Sequence, residues 1–316
     1  MVLRAAIYDK DIDIIAINDL SDASMLAHLF IYDTVHGPFD GSVAVIPGGI
    51  VINGKNIRTF AERDPAKLPW KDLGIDVVIE STGIFLDKEG AGKHVQAGAK
   101  KVLITAPAKH PDFAIVKGVN EHLYDKTKHH IVSNESCTTN CFAPMAKVLH
   151  DNFGIVSGFM TTVHAYTADQ NLVDGPHRKG DFRRARGAAS NIVPTSSGAA
   201  QALGEVIPEL KGKVHSSALR VPVPCGSVTY FVCEVSKNTS AEEVNLLFKN
   251  VAQFHLKGIL QYSEEELVVS DIVGRQYSCI FDSKLTEVEG NLVKVVGWYD
   301  NEWGYSCRVV DVMKLL

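Results

Sequence analysis

The sequence lacks the features that mark several large classes of protein. No apolar run approaches the roughly 20 residues of a membrane-spanning helix. Near the start, Arg4 is followed by only a few apolar residues before charges return, which is unlike a signal peptide. There are no internal repeats and no low-complexity tracts. We therefore expect neither a membrane partner nor a secreted protein.

Excess positive charge and ordered cysteine spacing are also missing. The net charge is −5 at pH 7, whereas nucleic-acid-binding proteins are usually basic, so no nucleic-acid partner is expected. The last four of the six cysteines are scattered without paired metal-ligand spacing, and we expect no bound metal. Free thiols without a disulfide framework are typical of the reducing cytosol, which predicts a cytoplasmic protein.

The arrangement of predicted elements indicates an α/β protein of two domains, the number that 316 residues favour. Strands and helices alternate through the first 136 residues, which predicts a doubly wound parallel sheet. After that point, long strands with few crossover helices predict a mixed, largely antiparallel sheet with helices on one face. Residues 165–191 form a long polar stretch with few elements, and a loop of that length is usually functional.

Nine residues, Ser133–Cys141, form the segment in which we expect the chemistry. A strand is predicted over Lys128–Val132 and a helix over Phe142–Phe153, so Cys137 lies near a helix N-terminus. Exposed amide N–H groups and the positive end of the helix dipole favour a thiolate there. A lone cysteine is more often a buried apolar residue, and the Cys137–Cys141 spacing is also compatible with a metal site or a disulfide.

His164 strengthens the catalytic interpretation of Cys137. It lies in the β-rich run Thr161–Thr167, and a cysteine nucleophile needs a histidine that is adjacent in space rather than in sequence. We expect His164 to lower the pKa of the thiol by pairing with it. We also expect Glu135, two residues before Cys137, to point to solvent, since an inward carboxylate would raise that pKa.

Three motifs in this order and spacing resemble the glyceraldehyde-3-phosphate dehydrogenase family. They are Ser136-Cys-Thr-Thr-Asn-Cys, His164-Ala-Tyr-Thr-x-Asp-Gln and Trp298-Tyr-Asp-Asn-Glu-Trp-Gly-Tyr. The similarity extends over essentially the whole chain. It implies an NAD-dependent oxidation of glyceraldehyde 3-phosphate to 1,3-bisphosphoglycerate with inorganic phosphate, in glycolysis and gluconeogenesis, by a homotetramer. The reaction would pass through a thiohemiacetal and a thioester on Cys137.

The resemblance also implies the domain boundaries and the cofactor-binding residues. An NAD-binding domain of Rossmann type would comprise residues 1–136 and 303–316, and a catalytic domain would comprise residues 137–302. The NAD-binding residues would be Asp19, Arg63, Thr82, Thr105 and Asn301. Asp19 follows a buried strand, where a carboxylate binds the adenosine ribose and disfavours NADP. Alternatively, Asp19 caps the next helix, Arg63 is a solvated loop residue, and both threonines are ordinary strand-end residues.

The phosphate-binding residues are likewise implied by the family. The substrate phosphate would contact Thr167 and Arg220, and the attacking phosphate would contact Ser136, Thr138, Ser197 and Gly198. Arg184 would be a further phosphate ligand, although Arg183 fits the motif nearly as well. From the residues alone, Ser197 and Gly198 would be a helix cap, and the basic run around Arg184 a solvated or intersubunit surface.

One family feature is absent from the sequence as given. The strand and G-x-G-x-x-G turn that precede the first helix in the family are missing, and Gly90-Ala91-Gly92 does not replace them. We therefore expect a Rossmann-like sheet without its first strand, with two strand edges exposed. The alternatives to an active dehydrogenase are a truncated pseudoenzyme or interaction protein with impaired NAD binding, and an erythrose-4-phosphate dehydrogenase.

Overall fold

A computed structural model describes residues 1–316, and the chain divides into two compact units. Unit 1 comprises Met1–Ala114, Tyr124–Asn134 and Val309–Leu316, and unit 2 comprises Ile115–Leu123 and Glu135–Arg308. None of the helices combines the length and the apolar composition needed to cross a lipid bilayer.

Seven α-helices and sixteen strands make up the regular structure. The helices are α1 (Val2–Ala6), α2 (Ala23–Ile31), α3 (Lys88–Gln96), α4 (Cys137–Phe153), α5 (Ala199–Val206), α6 (Ala241–Gln253) and α7 (Trp303–Met313). The strands are β1 (Ala16–Asn18), β2 (Val43–Ile46), β3 (Gly49–Ile52), β4 (Lys55–Phe60), β5 (Val77–Glu80), β6 (Lys101–Ile104), β7 (Phe113–Ala114), β8 (Ile131–Ser133), β9 (Ile155–Ala165), β10 (Val193–Ser196), β11 (Val214–Val221), β12 (Ser227–Val235), β13 (Leu260–Ser263), β14 (Cys279–Asp282), β15 (Glu287–Glu289) and β16 (Leu292–Tyr299).

Unit 1 contains two four-stranded sheets. One has the order β5-β6-β8-β7 and is parallel throughout, which confirms the α/β class predicted from the alternating pattern. The other has the order β1-β4-β3-β2, in which β1 pairs parallel with β4 and the remaining pairs are antiparallel. Strands β1 and β5 are end strands that do not pair with each other, so two strand edges are left unpaired, as expected.

Local signals in unit 1 were mostly predicted correctly, with two corrections. Asn53 and Gly54 have φ of 49° and 78° and form the predicted turn between β3 and β4. Helix α2 is capped by Asp22, whose carboxylate accepts from the Met25 amide at 2.8 Å, and not by Asp19. The predicted strand Lys128–Val132 begins only at Ile131, because the amides of residues 128 and 129 bond back to the carbonyl of residue 125 in a turn.

Unit 2 is built on an eight-stranded mixed sheet. Its order is β10-β11-β9-β12-β16-β14-β13, and β15 pairs with β16. Most neighbours are antiparallel, while β11 runs parallel to β9 and β13 parallel to β14, as the predicted fold class requires. The eleven-residue strand β9 lies near the middle of this sheet. Its last residues therefore have a strand on either side.

Helix α4 packs on this sheet through an almost continuous buried surface. The Phe142 and Phe231 rings meet edge to face with centroids 4.8 Å apart, and both side chains are fully buried. Each large buried side chain contributes about 1.5–3 kcal/mol of hydrophobic stabilisation. A Cβ atom at Gly297 would lie 2.8 Å from the Met145 sulfur, so a glycine is needed in β16 for this close approach. The packing fixes the N-terminal end of α4.

Candidate active site

The first residue of α4 is Cys137, so the helix begins five residues before the predicted start at Phe142, and Cys137 lies at its N-terminus as expected. Ser136 caps the helix, and its hydroxyl accepts from the Thr139 amide at 3.0 Å. Burial raises the pKa of the Cys137 thiol, while the charge of Arg220 and hydrogen bonds from Thr138 and from the Cys137 amide act to lower it. The net direction is upward. The thiol is therefore protonated at neutral pH until a base removes its proton.

His164 approaches this thiol from strand β9. Its Nε2 atom lies 3.5 Å from Cys137 Sγ, and the imidazole is buried. On its other side, Nδ1 lies 2.7 Å from the Ala165 carbonyl oxygen. Burial and the charge of Arg220 lower the pKa of His164 to about 3. The ring is thus neutral at neutral pH. His164 is not among the main groups that lower the pKa of the Cys137 thiol, contrary to expectation.

Arg220 is placed beside His164 by the register of the sheet. Strands β11 and β9 are parallel, and Arg220 and His164 are directly paired residues. The guanidinium NH1 lies 2.8 Å from His164 Nδ1 and 3.1 Å from the Ala165 carbonyl oxygen. The Nε atom of Arg220 is buried and makes no hydrogen bond. Arg220 is therefore the cation that acts on both the thiol and the imidazole.

The Tyr299 hydroxyl links the two segments that carry Cys137 and His164. Its hydroxyl bonds to Thr138 at 2.9 Å and to Thr162 at 2.8 Å, and its ring meets the His164 ring at 72° with centroids 5.9 Å apart. Thr138 follows Cys137 on α4, and Thr162 precedes His164 by two residues on β9. No pattern in the sequence indicated this role, although Tyr299 lies in the motif Trp298-Tyr-Asp-Asn-Glu-Trp-Gly-Tyr.

Asn301 is held by a hydrogen-bond chain that also reaches β9. Its Oδ1 accepts from the Gly226 amide at 2.9 Å and from the Ser227 hydroxyl at 3.1 Å. The same Ser227 oxygen accepts from the Ala165 amide at 3.2 Å. These bonds fix the amide orientation of Asn301 and leave its nitrogen as a free donor. No sequence signal pointed to Ser227, because its partners lie far away along the chain.

Three of the other expected phosphate ligands, Thr167, Ser197 and Gly198, lie on two segments of unit 2. Gly198 precedes α5, and the Ser197 carbonyl oxygen accepts from the Ser216 hydroxyl at 2.9 Å. Thr167 begins a turn in which its carbonyl oxygen accepts from the Gln170 amide. None of these residues is hydrogen-bonded to Cys137 or His164. Their assignment stays a prediction.

Arg184 and Arg183 differ clearly in their surroundings. The Arg184 guanidinium pairs with Asp169 at 3.2 Å and with Asp181 at 2.6 Å, and only 14% of its side chain is exposed. Arg183 is exposed, and its amide donates to Asp181. The long loop at 165–191 is thus held together by charge pairs around Arg184, which lies close enough to Arg220 to affect its pKa.

Glu135 is not directed to solvent as expected. It is only 1% exposed, and its φ of 56° is in the left-handed region. That backbone conformation turns the side chain away from the direction it would take in an extended segment. The Glu135 carbonyl oxygen accepts from the Tyr305 hydroxyl at 2.8 Å, which fixes the residue just before α4.

The six cysteines are all free thiols, and Cys141 is buried with its sulfur 3.6 Å from the Gly297 carbonyl oxygen.

In unit 1, two of the expected cofactor residues are joined by Glu80. Its carboxylate accepts from the amide and hydroxyl of Thr82, and its carbonyl oxygen accepts from the Thr105 hydroxyl at 3.3 Å. The other carboxylate oxygen lies 3.0 Å from His94 Nε2, and His94 Nδ1 accepts from the Trp70 indole at 3.0 Å. This buried series of hydrogen bonds fixes the positions of the carboxyl ends of β5 and β6. No pattern in the sequence indicated it.

The other two expected cofactor residues of unit 1 are exposed. Asp19 follows β1, and its carboxylate accepts from the Ser21 amide at 2.8 Å. Arg63 lies on the loop after β4. A carboxylate at the end of a parallel strand is available to a ligand hydroxyl group.

Known proteins of one family are similar to nearly the whole chain. The model for "Glyceraldehyde 3-phosphate dehydrogenase, NAD binding domain" matches residues 1–88, and that for "Glyceraldehyde 3-phosphate dehydrogenase, C-terminal domain" matches residues 136–301. Glyceraldehyde-3-phosphate dehydrogenase 2 of Streptomyces avermitilis is 56% identical over 96% of this chain and 90% of the relative. Glyceraldehyde-3-phosphate dehydrogenase of Geobacillus stearothermophilus is 55% identical over 98% and 92%. Glyceraldehyde-3-phosphate dehydrogenase 1 of Bacillus subtilis is 54% identical over 98% and 92%.

Proposed function

Because this chain belongs to the glyceraldehyde-3-phosphate dehydrogenase family, we propose that Cys137 is the nucleophile and His164 the base of its reaction. The chain is an NAD-dependent oxidoreductase of glycolysis, which oxidises glyceraldehyde 3-phosphate in the presence of inorganic phosphate. This function takes precedence over the interaction-protein and erythrose-4-phosphate alternatives. The observation that carries the two roles is the 3.5 Å separation of Cys137 Sγ and His164 Nε2 at a helix N-terminus.

The chemistry begins at the thiol. Cys137 gives its proton to His164, and the sulfur attacks the aldehyde carbon to form a thiohemiacetal. The amide of Cys137 and the protonated His164 ring stabilise the oxyanion, and His164 returns its proton to this oxygen, which becomes the hydroxyl group of the thiohemiacetal. His164 then takes the hydroxyl proton as the carbon is oxidised to a thioester. Inorganic phosphate attacks the thioester carbon, the Cys137 sulfur leaves, and the acyl phosphate is released.

The residues present fit NAD as the hydride acceptor. The free amide nitrogen of Asn301 is a donor for a carboxamide oxygen, with its orientation fixed by Gly226 and Ser227. In unit 1, the exposed carboxylate of Asp19 suits ribose hydroxyls, and Arg63, Thr82 and Thr105 complete the proposed set. When bound, NAD accepts the hydride that leaves the thiohemiacetal carbon.

Phosphate recognition is assigned to hydroxyl groups and guanidinium groups of unit 2. Thr167 and Arg220 bind the phosphate of the substrate, and Ser136, Thr138, Ser197 and Gly198 bind the attacking phosphate. The unpartnered Nε of Arg220 supports its role, since guanidinium groups bind phosphate through paired N–H donors. Arg184 is proposed in preference to Arg183, because charge pairs hold its guanidinium in place.

We also propose the domain roles and the assembly state. Residues 1–136 and 303–316 form the NAD-binding domain and residues 137–302 the catalytic domain, which the nearby unit boundaries support. A homotetramer is supported by the apolar side chains of Leu172, Val173 and Phe182, which are 80%, 72% and 91% exposed on one loop. The six free thiols support a cytoplasmic location.

The test is NADH formation from glyceraldehyde 3-phosphate and NAD, with and without inorganic phosphate. We expect phosphate-dependent turnover. Cys137→Ser should lower kcat roughly 10⁴-fold or more, and His164→Asn about 10²–10⁴-fold. Cys307→Ser, at a half-buried thiol of α7, is the matched control and should retain activity. Full activity in Cys137→Ser would refute the proposed mechanism.

A further inference from the structure

A buried series of hydrogen bonds in unit 1 begins at an indole group. The Trp70 indole nitrogen lies 3.0 Å from His94 Nδ1, and His94 Nε2 lies 3.0 Å from one carboxylate oxygen of Glu80. All three side chains are at most 4% exposed. An indole nitrogen can only donate a hydrogen bond, so His94 Nδ1 is the acceptor and carries no proton. The single proton of the ring is therefore on Nε2, and His94 donates it to Glu80.

The other carboxylate oxygen of Glu80 holds Thr82. It accepts from the Thr82 amide at 2.7 Å and from the Thr82 hydroxyl, and this hydroxyl accepts in turn from the Ile84 amide at 3.1 Å. Burial acts to raise the pKa of Glu80, but the hydrogen bonds from His94 and Thr82 outweigh it and the pKa is lowered. Glu80 is thus an ionised carboxylate that accepts from three donors, and it shapes the turn that follows β5.

The main chain of Glu80 holds the end of the neighbouring strand. Its carbonyl oxygen accepts from the Thr105 amide at 3.0 Å and from the Thr105 hydroxyl at 3.3 Å. Thr82 is exposed and Thr105 is half-buried, whereas Glu80 is 3% exposed. Ligands of open parallel sheets bind at the carboxyl ends of the strands. Glu80 therefore lies beneath two groups that a ligand can reach, and it is itself out of reach.

We propose that Glu80 is a positioning residue for NAD binding, and that Trp70 keeps His94 in the tautomer that Glu80 requires. This rests on the proposed function, in which Thr82 and Thr105 bind NAD. Glu80 acts through these two threonines, since it orients the side chain and amide of one and the amide and hydroxyl of the other. The role needs a group that only accepts hydrogen bonds, and this requirement can be tested.

A glutamine at position 80 cannot satisfy the donors around it. It has one oxygen that accepts and one NH2 group that only donates. With the oxygen toward Thr82, the NH2 group meets the N–H of His94. With the oxygen toward His94, the NH2 group meets the Thr82 amide. His94 cannot relieve the first conflict by moving its proton to Nδ1, because the Trp70 N–H already points there.

Removing the indole N–H should remove this conflict. In Trp70→Phe, nothing opposes a proton on His94 Nδ1, so Nε2 can become an acceptor. When Glu80→Gln is added, the NH2 group of the glutamine donates to Nε2, and its oxygen accepts from the amide and hydroxyl of Thr82. The loss caused by Glu80→Gln should therefore be largely rescued by Trp70→Phe, which a merely structural role of Glu80 does not predict.

The experiment measures the Kd of NAD by calorimetry on the full chain and its variants. The set comprises Glu80→Gln, Trp70→Phe and the double variant, with thermal unfolding to show that each is folded. Glu89→Gln is the matched control, because it makes the same chemical change at an exposed position of α3. Nitrogen-15 NMR of histidine-labelled protein reports which ring nitrogen of His94 carries the proton, and His94→Gln identifies the His94 signals.

We expect the His94 proton on Nε2 in the parent chain and on Nδ1 in the double variant. Glu80→Gln should raise the Kd of NAD roughly 10-fold, since it opposes buried donors. Its KM for NAD should rise while its KM for glyceraldehyde 3-phosphate does not. In the Trp70→Phe background the same substitution should change Kd little, and Glu89→Gln should leave Kd unchanged.

Three results would overturn the inference: a His94 proton on Nδ1 in the parent chain, an unchanged Kd in Glu80→Gln, or an equal loss in both backgrounds. Thr82→Val and Thr105→Val separate this failure from that of the proposed site. If either variant weakens NAD binding, the cofactor residues stand without the role of Glu80. If neither does, the assignment of these residues to NAD is overturned, and the inference with it.

Discussion

Removing the hydroxyl group of Tyr299 tests how the active site is supported. Tyr299 is 1% exposed, and its hydroxyl bonds to Thr138 at 2.9 Å and to Thr162 at 2.8 Å. In Tyr299→Phe both threonine hydroxyls lose this partner. Thr162 keeps a second bond, to the Val228 carbonyl oxygen at 3.1 Å, and the buried Thr138 keeps its hydrogen bond to the Cys137 sulfur.

The expected cost follows from the loss of two buried hydrogen bonds. At about 0.5–1.5 kcal/mol each, their removal should destabilise the protein by about 1–3 kcal/mol. For a domain of the size of unit 2, each 1 kcal/mol lowers Tm by about 2–4 °C, which gives a decrease of roughly 2–12 °C. Because Thr138 also bonds to the Cys137 sulfur, alkylation of Cys137 should change as well.

The assay is thermal unfolding of Tyr299→Phe beside Tyr230→Phe. Tyr230 lies in β12 of the same sheet, is half-buried, and has a hydroxyl without a protein partner, so its variant removes the same atom without breaking a bond. Its Tm should stay within about 1 °C of the parent value, since substitutions away from such contacts have small effects. Equal Tm values for the two variants would refute the reasoning about Tyr299.

Two further predictions concern unit 1 and the central strands of unit 2. Burial acts to raise the pKa of Glu80, but hydrogen bonds from His94 and Thr82 outweigh it and the pKa is lowered. The stabilisation that the ionised Glu80 gives to the folded state is therefore fully present above the pKa of the unfolded state, about 4.3. It is lost as pH falls through the lower pKa of the folded state. Glu80→Gln should be less stable by about 1–2 kcal/mol at pH 7, and the difference in urea unfolding should shrink below about pH 4.3; a difference that is constant down to the acid limit would contradict this. In Gly158→Ala, the new Cβ would lie 2.8 Å from Phe231 Cε2 and 2.9 Å from Cys233 Cβ, which should cost about 1–3 kcal/mol. In the control Gly92→Ala, in α3, the new Cβ would contact only Ile131, at 3.6 Å, and the higher helix propensity of alanine should raise Tm. A change of Tm in the same direction in both glycine variants would contradict this reasoning.

The features that sequence predicted well are those encoded locally. The position of Cys137 at the start of α4 followed from a strand pattern, capping residues and a helical pattern within some twenty residues. The Asn53-Gly54 turn followed from the need for positive φ. The long loop around Arg184 followed from the absence of any periodic pattern over residues 165–191.

What sequence did not predict depends on register and on distant contacts. Arg220 reaches His164 only because β11 and β9 pair in one particular register, and the two residues are 56 positions apart. Ser227 meets Asn301 across 74 positions, and His94 meets Glu80 through a helix packed on a strand. Glu135 was placed wrongly because a left-handed backbone at a non-glycine residue has no reliable local signal.

The positions of the three tryptophans allow the two units to be followed separately by intrinsic fluorescence. Trp70 is 4% exposed in unit 1, bonded to His94 and edge-on to Phe60, whereas Trp298 and Trp303 belong to unit 2. Replacing the latter two by phenylalanine would leave a single indole whose fluorescence reports on unit 1 alone. Conversely, Trp70→Phe would confine the signal to unit 2. The two variants together would show whether the units melt as one cooperative body or in separate steps, without attaching any external dye.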